Sequence, residues 1–169
     1  MPAVAHIGVG FAAKKFAKDI NVGYLILAAE AVELVFMGLW AAGVETPSSA
    51  TGAGFAAYSH SVASGVVLSF LGALLTFLFS KNKKAALTIG ILIFSHTLLD
   101  FIASPKLAFY PYDTGMPLYP FSNIQIGLGV WKYGVLAQIL EYGILGGGIL
   151  IYILTKIQMR KEKKAVISI

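Results

Sequence analysis

His96 and Asp100 stand four residues apart inside the apolar run Phe94–Phe101, FSHTLLDF. On a helix that spacing stacks them one turn apart on one face. Imidazole nitrogen and carboxylate oxygen are the ligands zinc takes, and manganese and iron accept them too. The chain has three histidines and no cysteine, which excludes thiolate ligands, thiol nucleophiles and disulfides. A divalent-metal shell drawn from His6, Glu33, His60, His96 and Asp100 would use every histidine, with zinc the first expectation. A catalytic site of this kind keeps one position for water. A spare carboxylate, Glu30 or Glu141, would then act as general base. Ionisable groups in an apolar span are costly, so they read as a functional site by default.

Blander readings compete with this one. A single histidine in a span also serves to hydrogen-bond a neighbouring helix. Glu30 also reads as a helix-packing polar residue. Glu141 can pair with Lys132 or support a ligand histidine from behind. Ser59 and Ser61 flank His60 without a Gly-x-Ser-x-Gly elbow, which argues against a serine hydrolase. No strand precedes Gly146, Gly147 and Gly148, so that run reads as helix packing, not as a phosphate loop.

The elements that would carry these residues are apolar spans. Of 169 residues, 57% are hydrophobic and only 12% charged, about half the usual charged share of a soluble protein. Spans are expected over 22–44 (with Glu30 and Glu33), 55–80 (opening with Tyr58-Ser59-His60-Ser61), 85–103 and 133–155 (with Glu141). Asn21 or Asp19 would cap the first. Ser64, Gly65, Ser69 and Gly72 would allow close packing of the second. Residues 3–18 are too short to span. Residues 104–132 hold Pro105, Pro111, Pro117 and Pro120, which rule out one long helix. Their Tyr110, Tyr112, Tyr119 and Trp131 suit a membrane interface, and the segment reads as a lid or re-entrant loop.

Lysines and arginines cluster at 14–18, 81–84 and 156–164, between or after the apolar runs, with two more, Lys106 and Lys132, in the 104–132 segment. This is a topology signal and not a nucleic-acid surface. It places both termini and the 81–84 loop in the cytoplasm, with 45–54 and 104–132 outside. Residues 1–13 lack the basic start of a cleavable signal peptide. At ~1.5 Å rise per residue, His96 lies about 18 Å above Lys84 and Glu33 about 16 Å above Val22. His6 reaches that level only if its segment enters the bundle with its N-terminus outward. His60 falls nearer the outer edge, and a break or tilt is needed to bring it down. The expectation is therefore an all-α integral membrane protein: one domain over 1–169, four transmembrane helices and an N-terminal buried half-helix.

In order along the chain come His6, AAEAVELVF at 28–36, Tyr58-Ser59-His60-Ser61, Ser95-His96-Thr97-Leu98-Leu99-Asp100, Leu118-Tyr119-Pro120, Gly127–Trp131 and Glu141. This series resembles the small multi-pass inner-membrane proteins described as membrane-bound metal-dependent hydrolases, the family with LexA-regulated members. The SHxLLD element is the most specific part. The resemblance implies a metal site at His6, His60, His96 and Asp100, with Glu33 where the family carries Asp. It implies hydrolysis in the prokaryotic plasma (inner) membrane. Relatives carry a histidine soon after the SHxLLD aspartate, where this chain reads Ala103-Ser104-Pro105-Lys106. The function expected is hydrolysis of a lipid-like or phosphoester substrate, with the bilayer as partner. Metal-ion or proton transport, or a non-catalytic scaffold, are the alternatives.

Overall fold

A computed structural model describes residues 4–45, 57–107 and 113–167. The chain is mostly helical: α1 (Val4–Ala12), α2 (Val22–Ala29), α3 (Ala31–Ala41), α4 (Ala57–His60), α5 (Val62–Ser80), α6 (Lys83–Ala103) and α7 (Gly134–Ile167). Three of these, α5, α6 and α7, are long and apolar enough to cross a membrane, and α2 with α3 make a fourth if the bent pair is one span. Apolar side chains such as Phe70, Phe79, Leu87, Val135 and Ile139 are exposed along them. Water-soluble proteins rarely leave so continuous an apolar surface uncovered.

Local chemistry sets the helix ends. Asn21 caps α2 by accepting from the Gly23 N–H at 2.8 Å, and Asn82 caps α6 by accepting from the Ala85 N–H at 3.1 Å. Lys81 ends α5 in the left-handed region at φ 54°, so α5 turns directly into α6. These two helices pack closely where Gly65 faces Thr97 and Gly72 faces Ile93.

The expected single span over 22–44 is instead two helices bent by 59° at Glu30. No proline or glycine causes the bend. In an unbroken helix the Ala29 carbonyl would accept from Glu33 N–H; here it bonds His96 Nδ1 at 2.9 Å. A side chain inserted into the hydrogen-bond ladder is a recognised cause of a kink. The span expected over 55–80 is likewise broken. Ser61 is extended (φ −75°, ψ 156°) and caps α5 through Ser64 N–H. The break needed near His60 is therefore present. The tail expected after 155 is no separate segment, because α7 runs on through it to Ile167.

α1 packs against α7 and α2 and touches α6. At its crossing with α7, a Cβ on Gly8 would lie 2.7 Å from Leu145 Cα, and one on Gly148 would overlap the Gly8 backbone. Gly148 is thus a close-packing position, whereas Gly146 and Gly147 face open space. α1 runs from His6 toward Lys14 and Lys18, and Lys18 meets Glu162 of α7 at 3.2 Å. Residues Ala17, Asp19, Asn82 and Lys84 line one shallow cleft. All three basic segments therefore gather at one end of the molecule.

The segment after α6 folds back over the opposite end. Gly129 N–H donates to Ser104 O at 2.6 Å, and Leu128 N–H to Phe101 O at 2.9 Å. A two-residue antiparallel pair, β1 (Met116–Pro117) with β2 (Gln125–Ile126), adds a small non-helical element. Leu118 O accepts from Ala63 N–H at 3.0 Å, tying this cover to α5. Trp131 is 2% exposed and packs on Ala103 and Ala137, so it is a buried residue and not the interfacial anchor expected. Tyr119 is exposed. Tyr110, Pro111, Tyr112 and residues 46–54 of the other loop lie outside the described residues.

Candidate metal centre

His6, Glu33, His60, His96 and Asp100 come from α1, α3, α4 and α6 and meet beneath this cover. His96 Nε2 is 3.5 Å from Asp100 Oδ2, and His60 Nε2 is 3.7 Å from the same oxygen. His60 Nε2 also lies 3.8 Å from Glu33 Oε1, and His6 Nε2 lies 3.9 Å from Asp100 Oδ1. The His6 ring stacks on His96 with centroids 3.7 Å apart, and His60 meets His96 nearly edge-on. His96 is fully buried, and His6, His60 and Asp100 nearly so. Phe36 packs edge-on against His60 and closes one side.

Two donor groups have the compactness a metal needs: His6, His96 and Asp100, and Glu33, His60 and His96. They share His96, whose Nδ1 is committed to the Ala29 carbonyl. Only Nε2 remains for an ion, so the two groups describe one centre. Ligands at ~2.0–2.1 Å around a tetrahedral zinc stand roughly 3.3 Å apart. The observed spacings exceed that by a few tenths of an ångström.

The donor set fits a divalent cation on a second count. His6 Nδ1, His96 Nε2 and Glu30 Oε1 are buried and make no hydrogen bond among the described residues. Such atoms each call for a partner; a cation would answer the lone pair of His96 Nε2, whereas His6 meets Asp100 through its other nitrogen and Glu30 belongs to neither donor group. Glu30 stands at the α2–α3 bend, next to the carbonyl that holds His96, and interacts electrostatically with His96.

Glu141 is placed differently. Its Oε2 accepts from the Ala5 N–H at 3.1 Å and its Oε1 from the Trp131 indole N–H at 3.0 Å. It holds the start of α1 and the end of the cover, so both oxygens are occupied. Its partner is not Lys132 or a histidine.

Two residues outside the expected set bear on the centre, Lys106 by direct contact and Glu45 through Ser59. Lys106 Nζ donates to Asp100 Oδ1 at 2.5 Å, and its own backbone N–H is held by Asp113 Oδ2 at 2.6 Å. Burial disfavours its charge, but Asp100 prevails and keeps its pKa above the ordinary lysine value. Lys106 takes Oδ1 and leaves Oδ2 facing His60 and His96. A small cleft lined by His60, Asp100, Ser104, Lys106, Asp113 and Met116 opens here, and a second, with His6 and Glu141, lies on the other side of Asp100 and Lys106. The other missed residue is Glu45, buried beneath Tyr58 and Ser59. A signal for Lys106 existed in the sequence: a cation six residues after the aspartate. Glu45 was legible only as the one charge in its loop. No protein-family model, no curated protein and no solved structure matches this chain.

Proposed function

We propose that the chain is a membrane-embedded, metal-dependent hydrolase of a lipid-like or phosphoester substrate in a prokaryotic plasma (inner) membrane, of the kind its motifs resemble. One observation carries the reading: two donor triads, His6–His96–Asp100 and Glu33–His60–His96, share the buried His96, whose Nε2 makes no hydrogen bond among the described residues. The exposed apolar helices and the basic residues gathered at one end support a membrane placement with both termini and the 81–84 loop cytoplasmic. α5, α6, α7 and the bent α2–α3 pair would be the four spans, with α1 as the inserted half-helix.

His6, His60, His96, Asp100 and Glu33 would hold the ion, zinc by preference for imidazole and carboxylate. When bound, it supplies Lewis-acid polarisation of an ester or phosphoryl oxygen and a more acidic water. The protein's own residues do the rest. Glu30, with its free buried oxygen, is the better placed general base, because both Glu141 oxygens are engaged. Lys106 sits at the cleft with its ammonium beside the donors, where it would meet an anionic group of the substrate. The described parts of the cover, 104–107 and 113–132, would shield the centre from bulk water, and the apolar helix surface would let a lipid approach from the bilayer.

Elemental mass spectrometry on detergent-purified protein tests this reading. Near-stoichiometric zinc, manganese or iron is expected, lost in His96→Ala, together with hydrolysis of a phosphoester or lipid ester by the wild type. Absence of metal after reconstitution would overturn it.

A further inference from the structure

His60 is backed by a chain of hydrogen bonds that the proposed chemistry does not itself require. Glu45 Oε1 accepts from the backbone N–H of Tyr58 at 2.6 Å and of Ser59 at 2.9 Å. Its Oε2 lies 2.7 Å from Ser59 Oγ, which lies 2.8 Å from His60 Nδ1. Glu45, Ser59 and His60 are all buried, and the far nitrogen of His60, Nε2, faces Glu33 and Asp100.

The direction of each bond follows from what each group can do. A carboxylate only accepts, so the Ser59 hydroxyl gives its proton to Glu45. The Ser59 oxygen is then the acceptor for His60, whose Nδ1 must carry the proton. We infer that Glu45 and Ser59 are positioning residues: their carboxylate–hydroxyl relay fixes His60 as the Nδ1–H tautomer and aims the Nε2 lone pair at the cluster. The Ala29 carbonyl does the same for His96, accepting from Nδ1. Two histidines from different helices are thus set in the same tautomer by different acceptors. The use of this relay rests on the metal centre proposed above; the tautomer itself does not.

Replacing Glu45 by Gln separates the relay from simple packing. The two backbone N–H groups hold the amide oxygen at the Oε1 position, so the amide nitrogen falls on Ser59 Oγ and donates to it. The Ser59 proton is then released from residue 45 and is able to go to His60 Nδ1, which favours the Nε2–H tautomer with no lone pair toward the cluster. Removing the hydroxyl with Ser59→Ala takes this acceptor away from His60 Nδ1. Supporting residues behind a metal-bound histidine are typically worth 10–100-fold in affinity. Zinc affinity should therefore fall about tenfold in Ser59→Ala and toward about 100-fold in Glu45→Gln.

The test is nitrogen NMR of the ring nitrogens in metal-free, ¹⁵N-histidine-labelled full-length protein in detergent, with zinc titration beside it. Only three histidines contribute signals, and His60→Ala identifies the relevant pair. The expected result is Nδ1–H at His60 in the wild type, inverted in Glu45→Gln. An Nε2–H wild-type signal would overturn the relay without reference to any variant. So would a Glu45→Gln protein that keeps both tautomer and zinc affinity. If the tautomers behave as expected but zinc binds neither protein, the relay stands and the metal reading fails alone.

Discussion

Asp100 has two oxygens with different duties. Oδ1 is held by Lys106 and Oδ2 faces two imidazoles. Lys106 thus balances part of the buried negative charge before any ion arrives. Removing one partner of a buried ion pair typically costs about 3–5 kcal/mol, because the other charge is left uncompensated. Lys106→Met should destabilise the metal-free protein on that scale, and saturating zinc should restore most of the loss. Thermal unfolding in detergent with and without zinc measures both, and an equal loss in the two conditions would remove Asp100 from the ligand set. The pH dependence has a definite sign. A lysine pKa raised by folding gives stabilisation that is complete below the ordinary value of about 10.4 and fades as pH climbs through the higher folded one. Wild-type stability from this pair should therefore be flat through the neutral range and fall only in strongly alkaline solution.

At the scale of elements, the first helix decides whether His6 belongs to the centre. α1 is held by backbone-close packing of Gly8 against Ile144 and Leu145, by Gly148 against Gly8, and by the Ala5–Glu141 bond. Gly148→Leu should push α1 off α7 and carry His6 away from Asp100. Metal affinity should then drop while helix content by circular dichroism stays near wild type; unchanged affinity would show that His6 is dispensable. Much of this arrangement was legible in the sequence. The HxxxD spacing, the apolar runs and the glycines on α5 follow from periodicity, whereas the inserted half-helix follows only from the need to bring His6 to the depth of the other donors. The two breaks were not equally readable. A break near His60 follows from the depth argument, and Ser61 supplies the cap. The bend at Glu30 has no local signature, because its cause is the His96 ring, 67 residues away in sequence, bonding the Ala29 carbonyl. Glu45 and Lys106 escaped for a similar reason: each meets its partners only in the tertiary structure.

For the molecule as a whole, charge is polarised between two ends. The basic segments share one end, and the cover and the centre share the other. If this polarity records membrane orientation, the two ends must differ in chemical accessibility. The chain has no cysteine, so single introduced thiols give a clean reading. Lys81→Cys should react with a membrane-impermeant maleimide only after cells are opened, whereas Phe121→Cys, 77% exposed on the cover, should react in intact spheroplasts. Labelling of both from one side would refute the arrangement.

The crossing of α1 on α7 joins two helices far apart in the chain. Until α7 is made, the half-helix has α2 and α6 to lie on but lacks the Gly8–Gly148 crossing and the Glu141 bond that seat it. The other donors are already translated by Asp100. The donor cluster is therefore fully seated only once α7 has been made, and a chain terminated before α7 should keep its α5–α6 hairpin but leave the site open. Ion capture at full affinity would thus report that synthesis had passed α7.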